Sequence, residues 1–235
     1  QEWFGKYGVD DDKVNAEGRE GGLGHLPEGW RIYQMSDLVN VVSWYAYKWN
    51  ELVEESGSAL ITLKSFDRTW GFQSRGFKPF IGTPKAEQEV IVWDLAVAHT
   101  DLTQDAEVLW NPAFIYENGG YQRMYITMDL VKVVSKNENI SNSFLYFLMK
   151  HPNFKWHCVG YSNWTTVLHL SKRAIPEYKV ALPECIDEKL ADASNLFDWF
   201  TKKISCNISQ IQSLSKARDT LLPKLMGGEV RIGNF

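Results

Sequence analysis

The sequence predicts an α+β protein: a β-rich domain with peripheral helices over residues 30–183, followed by one long coiled-coil-type helix. Three observations predict it. Short apolar runs rich in β-branched and aromatic residues, punctuated by turn residues, fill the middle of the chain. One segment, Ser141 to Pro152, carries Phe144, Phe147, Leu148 and Met149 mostly on one helical face. After Pro183 the apolar residues Ile186, Leu190, Ala193, Phe197, Phe200, Ile204, Ile211, Leu214, Leu221 and Leu225 recur in alternating steps of four and three, a heptad seam broken at Asn207 and Arg218.

The elements follow in order. Residues 1–29 read as the end of an earlier element, with Trp3 and Phe4, and then an acidic, glycine-rich linker. Strands are predicted at Ala59 to Leu63, along Glu89 to Thr100, and after the Asn118-Gly119-Gly120 turn through Tyr121 to Val134. Asn139 or Ser141 can cap the helix that follows, and Pro152 is expected to terminate it. A helix from Asp187 to Met226 would extend about 60 Å at about 1.5 Å per residue, longer than the domain is wide, so it needs a helical partner. Polar Asn207 in its seam either fixes register or faces solvent as a local defect. Pro223, before Gly227-Gly228, predicts a kink or an end there, with a short strand over 229–232.

Composition excludes several classes of protein. The 235 residues are 44% hydrophobic and 23% charged, as in a globular chain, with no apolar stretch of membrane-spanning length and no signal sequence at the start. The cytoplasm is the expected compartment. Cys158, Cys185 and Cys206 show no Cys-x-x-Cys spacing, so neither a disulfide framework nor a structural zinc site is expected. Gln1 in place of an initiator methionine suggests a piece of something longer.

The net charge of −4 is unevenly placed. Residues 1–30 hold seven acidic and three basic side chains, which leaves the rest neutral. Within that neutral body, Lys64, Arg68, Arg75, Lys78 and Lys85 stand against Asp67 alone over residues 61–86. On composition alone this is a solvated surface; beside a polar loop it becomes a phosphate-binding patch.

Several motifs carry little. Asn111-Pro112-Ala113-Phe114 is similar to the Asn-Pro-Pro-Phe/Tyr motif of amino-methyltransferases, but no glycine-rich turn for S-adenosylmethionine precedes it. Glu177-Tyr178-Lys179 has the spacing of metal-dependent nucleases without a partner aspartate. His151, His157 and Cys158 fit no common metal-ligand spacing. The ten tryptophans and ten tyrosines, with Trp44, Tyr45, Tyr47 and Trp49 clustered, suit a core, a sugar-stacking surface or nucleic-acid contacts.

Two polar stretches point further. His99, Thr100, Asp101, Thr103 and Gln104 follow a strand, and Tyr161, Ser162, Asn163, Thr165 and Thr166 precede another apolar run. They are dense in hydrogen-bonding groups and contain no pairing of nucleophile with base, which suits binding rather than reaction. With Lys64, Arg68, Gln73, Arg75 and Lys78 they provide cations for phosphates and amides for base edges.

The chain resembles the specificity (S) subunit of type I restriction-modification systems. The resemblance lies in the carboxyl-terminal "QIQSLSKARDTLLPKLMGGEVRI" from Gln210 to Ile232, in "LPEGW" at Leu26 to Trp30, in "AHTDLTQDAEVL" and "TTVLHLSKRAI", and in "EWF" at Glu2 to Phe4. Trp164 stands where family members usually carry glycine. The resemblance implies one target recognition domain at 30–183, a spacer helix at 184–235, and the end of the first spacer helix before residue 29. It implies a non-catalytic subunit that reads half of a split double-stranded DNA site. S-adenosylmethionine, ATP and Mg²⁺ would be bound by modification and restriction subunits, and none by this chain. Its helix would pair with a second copy or with the other half of a longer parent. Lys64, Arg68, Arg75 and Lys78 are assigned to phosphate or guanine contacts, and Gln73, Thr103, Gln104, Ser162 and Asn163 to base edges or positioning. Asn207, Lys216, Arg218 and Leu225 are assigned to the subunit interface. The alternatives are a carbohydrate-binding module with an exposed aromatic surface and an amino-methyltransferase fragment built on Asn111 to Phe114.

Overall fold

The structure is a computed structural model that describes residues 26, 28–66, 71–73, 76–101, 107–163, 168–184 and 186–228. Expectations for residues 1–25, including the early helix end, and for the strand at 229–232 lie outside the described residues. The fold is α+β: thirteen described strands in four small sheets, four short helices, and one helix of 41 residues at the carboxyl end.

The central sheet has the order β2-β10-β6-β8, formed by β2 (Val39–Val42), β6 (Leu95–Ala98), β8 (Pro112–Phe114) and β10 (Leu130–Ser135), all antiparallel. All four residues of β6 are buried because the sheet is covered on both faces. The pleat sends successive side chains to opposite sides. Leu95, Val97, Val131 and Val133 enter one core with α2 (Asn142–Met149) and α3 (Pro152–Gly160). Ala96, Ala98, Ala113 and Leu130 enter the other. That second core is closed by a sheet of order β4-β3-β9-β5, made of β3 (Ser58–Ile61), β4 (Lys78–Pro79), β5 (Glu89–Val90) and β9 (Arg123–Ile126), in which β3 and β9 run parallel. Trp44 packs against both cores and ties the layers together.

Two minor sheets complete the domain. β1 (Trp30–Gln34) pairs with β13 (Lys179–Pro183) and brings the ends of the β-rich region side by side. β7 (Thr100–Asp101), β12 (Leu168–Leu170) and β11 (Ser162–Asn163) form the other, and the short helices α1 (Met35–Leu38) and α4 (Ala174–Glu177) follow β1 and β12.

The predicted elements are refined in four places. The run from Glu89 to Thr100 is three strands in three different sheets, split where Trp93 adopts a left-handed φ of 76° and again at His99. The strand at residue 59 ends at Ile61, because the Thr62 side chain accepts from Lys64 N and turns the chain. Ser141 caps α2 by accepting from Phe144 N at 3.1 Å. Pro152 does not simply end that helix. It occupies the first turn of α3, capped by His151, where a missing N–H costs nothing.

The long helix α5 spans Ile186–Met226. It does not end at Pro223, and closes instead with Gly228 at φ 72° and bonds from Gly227 N to Pro223 O and from Gly228 N to Leu225 O. Its first turns belong to the domain core: Leu190 is fully buried, Phe197 stacks on Phe147 with centroids 4.9 Å apart, and Ser194 donates to Asn139 O. Beyond Ser205 the face is exposed, with Ile211, Leu214, Leu221 and Met226 open to solvent.

Candidate functional site

The two polar stretches singled out in the sequence meet in the three-stranded sheet. β12 pairs antiparallel with β7, Leu168 opposite Asp101 and His169 opposite Thr100, and β11 pairs with β12, Asn163 opposite His169. Asp101 leads into residues 102–106 and Leu168 follows residues 164–167. Since these two are register partners, both stretches leave and enter the sheet at the same end.

Asp101 fixes that end. It is 2% exposed, and its Oδ2 accepts from Val108 N at 2.8 Å and from Leu109 N at 3.1 Å, so both sides of the 102–106 stretch are tied to one carboxylate. Asp129 does the same between layers. It accepts from Thr100 Oγ1 at 2.7 Å and from Thr127 Oγ1 at 3.3 Å, while its carbonyl accepts from His99 N at 2.7 Å. Thr127 N in turn donates to Ile61 O, which links the end of β3 to this network.

The basic segment is built around that same β3. Thr62 Oγ1 donates to Gly76 O, and Gln73 donates to two carbonyls, its N to Ser65 O and its Nε2 to Lys64 O. A Cβ at Gly76 would stand 2.6 Å from Lys64 Cβ, and φ there is 87°, so the close approach and the turn both require glycine. Lys64 is exposed, and Lys78 lies on β4 with its ammonium 6.0 Å from the ring of Trp49. Trp49 is itself 81% exposed.

Of the other predicted site residues, Ser162 sits in β11, its hydroxyl donating to Cys158 O at 2.7 Å. Asn163 has its backbone in β11, while its side chain lies outside what is described, as do Arg68, Arg75, Thr103 and Gln104 altogether. Asn207, Lys216 and Arg218 are exposed on α5, Leu225 is half-buried, and Arg218 bonds its neighbour Asp219 at 2.7 Å.

The structure adds one cation that the sequence reading did not select and groups it with Trp44 and His99. Lys172, in the turn after β12, places its ammonium 5.0 Å from the Trp44 ring, and His99 stands 5.8 Å from the same ring. Burial, with the nearby charges of His169 and Lys172, holds the His99 imidazole down at about 4 and therefore neutral at pH 7. Only the "HLSKR" run could have signalled this group, and its bearing on Trp44 is a matter of tertiary register.

The minor motifs are structural. Asn111 is buried and donates to Glu107 O, with Pro112–Phe114 forming β8. Glu177 accepts from Tyr161 and pairs with Arg173, whose hydrogen bond, ahead of Tyr161's, lowers its carboxyl. His157 Nε2 lies 2.8 Å from Ala174 O, and burial pushes the Cys158 thiol up. Among the described residues no group of three His, Cys, Asp or Glu could hold a metal ion, and no helix is long and apolar enough to cross a membrane.

The layered domain followed by one long carboxyl-terminal helix is a fold that this chain shares with solved S subunits of type I restriction-modification systems. The S subunit of the type I restriction-modification system from M. genitalium superposes with a TM-score of 0.55 at 12% identity, covering 86% of this chain and 46% of that one. A chain solved in work on complex assembly and conformational transition of the type I R-M system superposes at 0.51 and 12% identity, covering 85% of this chain and 45% of its own length. This chain thus spans just under half the length of both. No protein-family model matches the sequence, and no curated protein matches it.

Proposed function

We propose that this chain is a non-catalytic DNA-recognition unit of a type I restriction-modification complex. It reads one half of a split double-stranded target and docks a modification subunit through α5. The observation that carries this reading is the register pair Asp101 and Leu168, which brings both polar stretches to one sheet end within an S-subunit fold. Buried carboxylates brace that sheet end, as a surface that must hold hydrogen-bonding loops in place requires. The basic segment at Lys64 and Lys78 lies on the adjoining layer and supplies cations for phosphates. In this reading the chain binds no cofactor. S-adenosylmethionine, ATP and Mg²⁺ are bound by the modification and restriction subunits, and the exposed apolar face of α5 pairs with a second copy or with the other half of the parent.

The test is to co-express the parent protein with its modification subunit and map methylated adenines in the host DNA. A single split motif with a fixed gap is expected. A symmetric motif identifies two identical recognition domains, and an asymmetric one a two-domain parent. Absence of any complex between the two proteins overturns the reading. Salt separates it from the carbohydrate-binding alternative, because DNA affinity falls steeply with ionic strength through counterion release whereas stacking on a neutral sugar barely responds.

A further inference from the structure

We infer that the cleft bounded by the start of α2, the turn at Trp93 and one face of α5 binds a free α-amino acid with an apolar side chain, its ammonium on Asp198 and its carboxylate on Lys202. The inference goes beyond the DNA-recognition reading and does not depend on it.

The cleft has a volume of about 410 Å³, within the range of about 300–1,000 Å³ found for small-molecule sites. Asp198, Thr201, Lys202 and Ser205 line it, and their steps of three, one and three along α5 put them on one helical face. Asn142 and Ser143, the first two residues of α2, line it as well. Trp93 and Phe114 supply its apolar wall, with ring centroids 5.9 Å apart. Trp93 has a left-handed φ of 76°, and its surroundings fix it there. Its N donates to Ile115 O at 2.6 Å, and the next residue, Asp94, pairs with Lys132 at 2.7 Å and accepts from Ile91 N at 2.8 Å. The wall is therefore set before a ligand arrives.

The polar side chains of the cleft lack partners in the protein. Among the described residues none of the six, from Asn142 to Ser205, forms a side-chain hydrogen bond or an ion pair. Thr201 is 8% exposed, and its buried hydroxyl has no partner. Asp198 and Lys202 are one helical turn apart, a spacing at which opposite charges can pair, yet no ion pair joins them. Their formal charges cancel, so this lining suits a ligand that is neutral overall and carries a separated cation and anion. The start of α2 adds to the anion's side. Ser141 caps Phe144 N only, and among the described residues the N–H groups of Asn142 and Ser143 have no acceptor, at the positive end of the helix dipole. A free α-amino acid carries its ammonium and carboxylate on one carbon, and the side chain from that carbon has Trp93 and Phe114 to pack on. A nucleoside or a neutral sugar has neither full charge, and a phosphate ester lacks the cation, so none of these uses both Asp198 and Lys202.

The experiment is a calorimetric titration of the full chain with L-leucine, L-phenylalanine and L-tryptophan. Saturable binding of at least one of them, at millimolar concentration or below, is expected. For that amino acid, acetylating the amine or amidating the carboxylate removes one charged contact, so either change should weaken binding by about tenfold or more. Asp198→Asn and Lys202→Gln should each weaken it to the same degree with the thermal midpoint unchanged. Lys203→Gln, on the same helix but outside the cleft lining, should change affinity less than about twofold. No binding by any of the three amino acids overturns the site. So does an acetylated or amidated form that binds as well as the free one, which would identify a chain terminus as the ligand, and so do Asp198→Asn and Lys202→Gln variants that bind like the parent. None of these outcomes bears on DNA affinity, so the recognition reading stands or falls by its own test.

Discussion

Two neighbouring backbone N–H groups, those of Val108 and Leu109, end on the same buried oxygen of Asp101. Replacing Asp101→Ala leaves both donors without an acceptor in a buried site. The expected loss is about 2–4 kcal/mol, measured by urea unfolding at neutral pH, since an unsatisfied buried donor costs about 1–3 kcal/mol. Asp101→Asn keeps one accepting oxygen and should lose less than half as much. His99 gives a prediction in pH. Its imidazole is held at about 4 in the folded protein against an ordinary 6.5, so the unfolded chain takes up a proton that the folded chain refuses. The stability from this residue is complete above pH 6.5 and is lost as pH falls from there toward 4. The difference corresponds to about 3 kcal/mol by pH 4, at about 1.4 kcal/mol per unit. Urea midpoints at pH 7 and pH 4.5 for the parent and His99→Gln test this. A parent and variant that lose the same stability on acidification would exclude His99 as the cause.

At the level of elements, what could be read from the sequence followed burial pattern. The alternation of Leu95 and Val97 against Ala96 and Ala98 marks a strand between two cores, and the heptad steps after Pro183 mark α5 from its first turn to Leu225. By contrast α3 escaped notice, because "PNFKWHCVG" buries only Phe154 and Cys158 and presents lysine, tryptophan and histidine to less buried positions. A proline that looks like a stop was a start. Pro223 misleads in the opposite way: on an exposed helix its missing N–H is a local cost that the surrounding turns absorb, and the glycines just beyond supply the actual end. The exposed half of α5 tests what that helix is for. Ile211→Glu with Leu214→Glu alters side chains 62% and 70% exposed, so the thermal midpoint of the chain alone should move by less than about 2 °C. Co-purification with the modification subunit, or pairing with a second helix, should be lost. A double variant that still assembles would remove this face from the proposed interface.

Across the whole molecule, the candidate site was only half legible. The polar stretches and the basic segment are contiguous in sequence and announce themselves by composition. Lys172 does not, because no local pattern records that a turn after β12 will lie over the ring of Trp44. The same principle governs how the domain and the helix depend on each other. Phe197 meets both Phe144 and Phe147, Leu190 has no exposed surface, and Ser194 bridges Asn139 and Ser141, so the first turns of α5 are a wall of the larger core. Past Ser205 the helix exposes Ile211, Leu214, Leu221, Leu222 and Met226. Two truncations should therefore behave very differently. A chain ending at residue 208 keeps every one of these contacts, and its unfolding midpoint should stay within a few °C of the parent's, at about 2–4 °C per kcal/mol. A chain ending at residue 184 removes Leu190 and Phe197 and uncovers α2. Each large side chain taken from a core costs about 2–5 kcal/mol, so calorimetry should show a midpoint lowered by at least about 10 °C or no cooperative transition. If the two truncations unfolded alike, the helix would be an appendage and the β-rich domain would not be mechanically coupled to it. If they differ as expected, any force or partner acting on α5 acts directly on the core that Leu190 and Phe197 help to close.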